Sequence, residues 1–179
     1  MQFPKHKASY VALGSNLGDS RAYLDKAVAA LQLRKDIRAL TVSRYYQSKP
    51  HGPQDQADYF NAVVRFETSL GPTALLDALQ EIENNNQRVR EGVVRWGART
   101  LDLDLLFYAD QLINTPRLIV PHSRICERAF VLFPLRDLDA HLDSLPNTAL
   151  KKLNKSTIEE CIELLPASDL NDIKVIQYD

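Results

Sequence analysis

The apolar residues of this chain change period in an order that leaves few folds open. Residues 8–13 are a short, largely apolar run that ends in Gly14-Ser15-Asn16-Leu17-Gly18-Asp19, which is turn chemistry. Tyr23, Leu24, Ala27, Val28 and Leu31 then recur at helical spacing, with Asp19 or Ser20 placed to cap that helix. Residues 37–48 alternate and are rich in β-formers, and residues 49–56 form a loop stiffened by Pro50 and Pro53. Residues 59–68 alternate again, with Phe60, Ala62, Val64 and Phe66 on the face expected to meet the core. Gly71-Pro72 opens a second helix with proline at the favoured first position, and Leu75, Leu76, Leu79 and Ile82 form its buried stripe. A last strand runs through Leu101-Asp102-Leu103-Asp104-Leu105-Leu106-Phe107 to a hairpin turn at Ala109-Asp110-Gln111. The order strand, helix, strand, strand, helix, strand is the split βαβ pattern of a ferredoxin-like α+β domain. It predicts an antiparallel-dominated sheet with helices on both faces.

Further along, residues 118–120 predict a short extended piece ended by Pro121, and residues 124–132 a helix near Pro134. Ser156-Thr157-Ile158-Glu159 reads as a capping box that opens a final helix to about Leu165. The 179 residues suit one domain, with residues 1–7 as a loose tail. A net charge of −1 leaves no broad basic face for duplex nucleic acid. No apolar run is long enough to span a membrane, and the start is not signal-like, so a cytoplasmic protein is expected. Cys126 and Cys161 lack metal or redox spacing and are read as separate, reduced core residues.

The chemistry lies in the last strand. Side chains alternate along a strand, so Asp102 and Asp104 share a face. Two adjacent carboxylates repel unless a cation lies between them, and hard oxygen ligands of this kind suit Mg²⁺. An Asp-Leu-Asp strand can also be plainly amphipathic, with its aspartates in water. Against that, Arg88, Arg90, Arg95 and Arg99 crowd the preceding stretch with only Glu91 to offset them. Guanidinium groups beside a magnesium site point to phosphate as the third partner.

These residues carry a resemblance. The run from Arg95 through Trp96, Arg99, Asp102 and Asp104 to Leu105 closely resembles the signature of the 6-hydroxymethyl-7,8-dihydropterin pyrophosphokinases. Gly14-Ser15-Asn16-Leu17-Gly18 resembles their first loop, and residues 52–62 their pterin-side segment. Val120-Pro121-His122 and Arg128-Ala129-Phe130 resemble later motifs, in order. The likeness covers roughly residues 10–135, and residues 136–179 diverge. It implies one pyrophosphokinase domain over 1–179 that moves the diphosphate of ATP to the pterin hydroxymethyl group, releasing AMP. It implies two Mg²⁺ ions on Asp102 and Asp104, with Arg88 and Arg99 as catalytic arginines. Arg90, Trp96, Arg99, Arg117, His122, Ser123 and Arg128 would meet ATP, with Gln80 and Glu83 close by. Tyr59 and Phe130 would sandwich the pterin, and Asn61 would read its amide edge. Gly14, Ser48, Lys49, Pro50, His51 and Trp96 would complete that pocket. Lys49 and His51 stand where apolar residues are commoner in the family. A monomer acting on small molecules is expected. Two competing readings are another Mg²⁺-dependent nucleotidyl- or phosphotransferase, separable by whether AMP is released, and an RNA-binding sheet. The missing basic face argues against the second.

Overall fold

In the computed structural model, residues 6–89, 97–138 and 157–177 are described. β1 (Lys7–Ser15) leads through Gly18, at φ +75°, into α1 (Ser20–Gln32). Asp19 caps α1, its carboxylate accepting from the Ala22 amide at 3.0 Å. β2 (Ile37–Val42), β3 (Tyr46–Ser48) and β4 (Tyr59–Thr68) follow, then α2 (Pro72–Asn85) and β5 (Asp102–Tyr108). Next come β6 (Ile113–Asn114), β7 (Ile119–Val120), a 3-10 turn (Ile125–Glu127) and α3 (Ala129–Asp137). After residue 156 the chain forms α4 (Ile158–Glu163), α5 (Ala167–Asn171) and β8 (Ile173–Val175).

The sheet order is β5-β1-β4-β3-β8, with β2 also on β4, and these pairings are antiparallel. α1 and α2 cover one face, where Leu24, Leu31, Leu75 and Leu79 meet Val11, Leu13, Val64, Phe66 and Leu105. α3 and α4 cover part of the other, where Val131, Leu132, Leu135 and Ile158 meet Tyr10, Val63, Leu106 and Phe107. The ferredoxin-like α+β expectation therefore holds. No helix among the described residues is long and apolar enough to cross a membrane.

Several local expectations are corrected. The strand expected over residues 37–48 is broken at residues 43–45, between β2 and β3, and within β2 Ala39 turns to φ +52° where the register shifts between Arg38 and Thr41. Both pieces nevertheless run along β4. The Ser43 hydroxyl bridges the break, accepting from the Val63 amide at 2.9 Å. β5 turns at Ala109 but forms no hairpin, since β6 pairs with β7. The helix expected over residues 124–132 is split by Arg128, whose extended backbone (φ −129°, ψ 100°) separates the 3-10 turn from α3. α3 then passes through Pro134, which has no N–H to offer the Phe130 carbonyl one turn back. The helix expected to be the last is α4, which α5 follows; Thr157 caps it, its hydroxyl accepting from the Glu160 amide at 3.1 Å, and Ser156 lies outside the described residues. Cys126 and Cys161 are not separate thiols. A disulfide joins them with Cα atoms 5.0 Å apart, tying the 3-10 turn to α4 across a sequence separation of 35. Only packing brings such distant residues together, so spacing did not disclose the bond.

α3 is fastened to the sheet by charge as well as by packing. Asp137 accepts from the Arg44 amide and guanidinium and from the Tyr46 hydroxyl at 3.0 Å. Burial alone would raise the Asp137 pKa. The bonds from Arg44 and Tyr46 outweigh it and hold the carboxyl below the usual range. Burial first, and Asp137 second, push the Tyr46 hydroxyl up to about 12. A depressed carboxyl contributes stability above its unfolded pKa and loses it as pH falls through the folded value. Asp137→Ala should therefore cost about 1–2 kcal/mol at neutral pH, an amount discounted for the half-exposed Arg44. Urea titrations at neutral and strongly acid pH check this: the gap between wild type and variant should shrink in acid.

Candidate active site

The second sheet face is covered by α3 and α4 only in part. Where α3 begins, the strands instead present polar side chains to a cleft. β1 contributes Ala12 and Gly14, β4 contributes Tyr59 and Asn61, and β5 contributes Asp102 and Asp104. Ser48, Lys49 and His51 close one side, and Arg99, Arg128 and Phe130 close others. Gly14 lies at the floor. A Cβ there would sit 3.6 Å from Asn61 Oδ1 and 4.0 Å from Asp102 Cβ, so glycine keeps that space open.

Asp102 is gripped by two arginines. Arg99 Nη1 donates to its Oδ2 at 2.8 Å, and Arg88 Nη1 makes a short contact to its Oδ1. Arg88 also donates to the Leu101 carbonyl at 2.6 Å and pairs with Glu83 at 3.2 Å. Asp104 has looser partners, Arg128 Nη1 at 3.4 Å and His122 Nε2 at 3.9 Å. The two carboxyls consequently titrate apart. Burial favours the neutral form of Asp102, yet Arg88 and Arg99 overcome it and hold its pKa down. At Asp104 burial and the charge of Asp102 together push the pKa up. That repulsion is what a cation placed between the two would relieve. The donor set fits Mg²⁺, which takes one or two carboxylates and completes its shell with water and substrate phosphates. Among the described residues no group of three or more His, Cys, Asp and Glu could hold a metal, so these two carboxylates stand alone.

His122 Nδ1 accepts from the Arg124 amide at 3.2 Å, which leaves Nε2 as the protonated nitrogen of the neutral ring, turned toward Asp104. Burial is the largest influence on this ring and lowers its pKa, against the pull of Asp104. Asn61 is 3% exposed and donates to the Ser48 hydroxyl at 2.9 Å. Tyr59 donates to the Gly97 carbonyl at 3.1 Å, and its burial pushes its pKa up. The ring of Phe130 lies 6.3 Å from that of His51 and 5.7 Å from the Arg128 guanidinium.

Most residues singled out in the sequence meet here: Gly14, Ser48, Lys49, His51, Tyr59, Asn61, Arg99, Asp102, Asp104, Arg128 and Phe130 line one cleft, with Arg88 directly behind. Pro50 lines an adjoining cavity toward α5. Arg117 lies outside the cleft lining, paired with Asp77 of α2 at 2.7 Å, and Gln80 and the exposed Ser123 lie outside it too. Arg90 and Trp96 fall outside the described residues. Glu83 is 2% exposed and faces inward, accepting from the Leu103 amide at 2.8 Å.

One residue has a larger role than its sequence context suggested. Asn16, read from the sequence as a turn residue, accepts from the Arg99 amide at 2.9 Å. It also donates to Gln56 Oε1 and to the Ala57 carbonyl. Its amide and that of Leu17 donate to the Arg99 carbonyl. Asn16 therefore joins the loop after β1, the loop before β4 and the segment that aims Arg99. No local signal distinguishes such an asparagine from an ordinary turn residue.

The pattern of the 7,8-dihydro-6-hydroxymethylpterin-pyrophosphokinase family matches residues 10–140. Among similar sequences, a 2-amino-4-hydroxy-6-hydroxymethyldihydropteridine pyrophosphokinase of Pseudomonas aeruginosa is 45% identical over 159 residues, covering 89% of this chain and 97% of the relative. Its namesake in Haemophilus influenzae is 46% identical over 142 residues, 79% of this chain and 87% of the relative. That of Bacillus subtilis is 48% identical over 130 residues, 73% of this chain and 77% of the relative. Among solved structures, an HPPK-DHPS of Plasmodium falciparum superposes with a TM-score of 0.63 at 14% identity. It covers 99% of this chain and 49% of that one, a likeness of fold.

The Glu83 carboxylate holds β5 between its two aspartates and pairs with Arg88. Glu83→Ala should leave a buried Arg88 half-paired and lower the free energy of unfolding by about 3 kcal/mol. A urea titration reads this directly; a loss below about 0.5 kcal/mol, the size of an ordinary surface change, would contradict it.

Proposed function

The chain belongs to the 7,8-dihydro-6-hydroxymethylpterin-pyrophosphokinase family, and from that premise we propose how its cleft carries out the transfer. The enzyme transfers pyrophosphate from ATP to 6-hydroxymethyl-7,8-dihydropterin in folate biosynthesis. In the reaction a bond forms between the hydroxymethyl oxygen and the β-phosphorus. The bond from that phosphorus to the α,β-bridging oxygen breaks, AMP leaves, and the hydroxyl proton is lost.

The observation that carries the residue assignments is the shared face of Asp102 and Asp104 beside Arg88, Arg99 and Arg128. Two Mg²⁺ ions held by Asp102 and Asp104 would screen the triphosphate and favour an in-line displacement. Arg99 and Arg88 present planar forks that already grip a carboxylate, and the same forks suit phosphate oxygens. Arg128, only loosely held by Asp104, is placed to do likewise. The Nε2–H of His122 faces the same carboxylate and can donate to a phosphate oxygen. Tyr59 and Phe130 offer two aromatic faces to a flat heterocycle. Asn61 and Ser48 offer the amide and hydroxyl that would read its polar edge. Gly14 leaves room beneath. Gln80, Arg90, Trp96, Arg117 and Ser123 are assigned to ATP by likeness to the family, and Pro50 and Trp96 to the pterin in the same way. Glu83 acts from beneath by holding Arg88. The enzyme works as a monomer in this reading.

The test is an assay with ATP, Mg²⁺ and hydroxymethyldihydropterin, following AMP and the pterin diphosphate. Wild type should form both, and Asp104→Asn should lower kcat by at least about a hundredfold. Equal turnover in the variant would remove Asp104 from the metal site.

A further inference from the structure

The loop between β3 and β4, residues 49–58, is drawn shut at its base by a single carboxylate. Asp58 Oδ2 accepts from Gln47 Nε2 at 2.9 Å and from Lys49 Nζ at 3.1 Å, and its Oδ1 accepts from Lys49 Nζ at 3.0 Å. Gln47 and Lys49 flank Ser48, and Asp58 immediately precedes Tyr59. Ser48 and Tyr59 are ladder partners. Ser48 is 6% exposed and holds Asn61 within the cleft. Asp58 itself is not among the residues that line the cleft. A carboxylate outside the cleft thus ties together the two strand ends whose inward side chains form its wall.

We propose that Asp58 is a positioning residue for the pterin: by joining Gln47 and Lys49 it fixes Ser48 against Tyr59 and so sets the slot that receives the ring. This rests on the reading that the pterin lies against Tyr59 and Asn61. Lys49 gives Asp58 a cationic partner that an apolar side chain could not supply. Lys49 is 58% exposed at its side chain and Asp58 24%, so the ion pair alone is screened. The effect comes from closing the base of a loop whose returning limb is independently fastened to Asn16 through Gln56 and Ala57. With the base closed and the returning limb held, the wall is arranged before substrate arrives, and its ordering cost does not fall on binding.

Steady-state kinetics on Asp58→Ala, Asp58→Asn, Lys49→Met and the Asp58→Asn/Lys49→Met double variant test this, with Asn61→Ala as the marker of the cleft itself. Asp58→Ala should raise KM for the pterin about fivefold or more, with kcat and KM for ATP within about twofold of wild type. Asp58→Asn keeps an acceptor for Gln47 and should fall between wild type and Asp58→Ala. Lys49→Met should raise KM for the pterin in the wild-type background and add nothing to Asp58→Asn, because the charge it answers is already gone. An unchanged pterin KM in Asp58→Ala, beside a raised one in Asn61→Ala, overturns the positioning role alone. An unchanged pterin KM in Asn61→Ala overturns the placement of the pterin. Parallel rises in KM for both substrates, or additive Lys49 and Asp58 effects, also overturn the proposal.

Discussion

Two negative charges on one face of one strand are the constraint around which this molecule is arranged. Asp102 and Asp104 would repel each other, and burial raises the cost. The fold answers with guanidinium groups that are themselves held. Arg88 is fixed by Glu83 and by the Leu101 carbonyl. Arg99 is fixed through its backbone by Asn16. Both converge on Asp102, so one carboxylate is fully engaged while its neighbour is left with partners at 3.4 and 3.9 Å. The asymmetry leaves Asp104 as the carboxylate with the most unmet demand for positive charge, where a cation or a phosphate-bound cation gains most.

Much of this was legible in the sequence because it rests on local rules. β4 spans the residues its alternation marked, Asp19 caps α1, and Pro72 opens α2. The aspartate pair faces one way because strands alternate. The placement of Arg99, Tyr59, Asn61 and Phe130 around one cleft drew on family likeness, and the fold brings them together. What escaped notice depends on contacts between distant segments. The break between β2 and β3 is bridged by a Ser43 hydroxyl, β8 exists because β3 offers an edge, and the disulfide needs α4 packed on the 3-10 turn. Glu83 was assigned to ATP from its neighbourhood in the chain. Its burial against the Leu103 amide of β5 depends on the packing of α2 on the sheet, which no periodicity encodes.

The pterin-side wall shows how such distant contacts accumulate into a site. Asn16 fastens the limb of the loop that returns to β4, and Asp58 fastens its base. Neither contributes much apolar burial, and Asp58 is partly exposed, so a ranking by hydrophobic contact would pass over both. Their influence is on the freedom of Ser48, Tyr59 and Gln56. The same Asn16 also grips Arg99, so the wall beside the ring and the arginine on Asp102 share a support.

The packing beside the cleft depends on a single irregularity in β5. Strict alternation would put Leu106 on the face of Asp102 and Asp104 and would send Phe107 to the opposite face with Leu103 and Leu105. The register against β1 instead shifts between Tyr10 and Val11, leaving Leu106 as an extra residue. Leu106 and Phe107 consequently both pack under α3 and α4, while Leu103, Leu105 and Tyr108 face α1 and α2. A β-bulge of this kind changes the phase of a strand along its length. It lets one end of β5 satisfy two cores while the other end turns both acids into the same opening. Without the bulge, strict alternation of the same residues would send Phe107 to the face of α1 and α2, which Tyr108 now occupies. The core beneath α3 would lose one of its two large strand aromatics, leaving Tyr10 alone to support the helix that carries Phe130 and Val131 to the cleft.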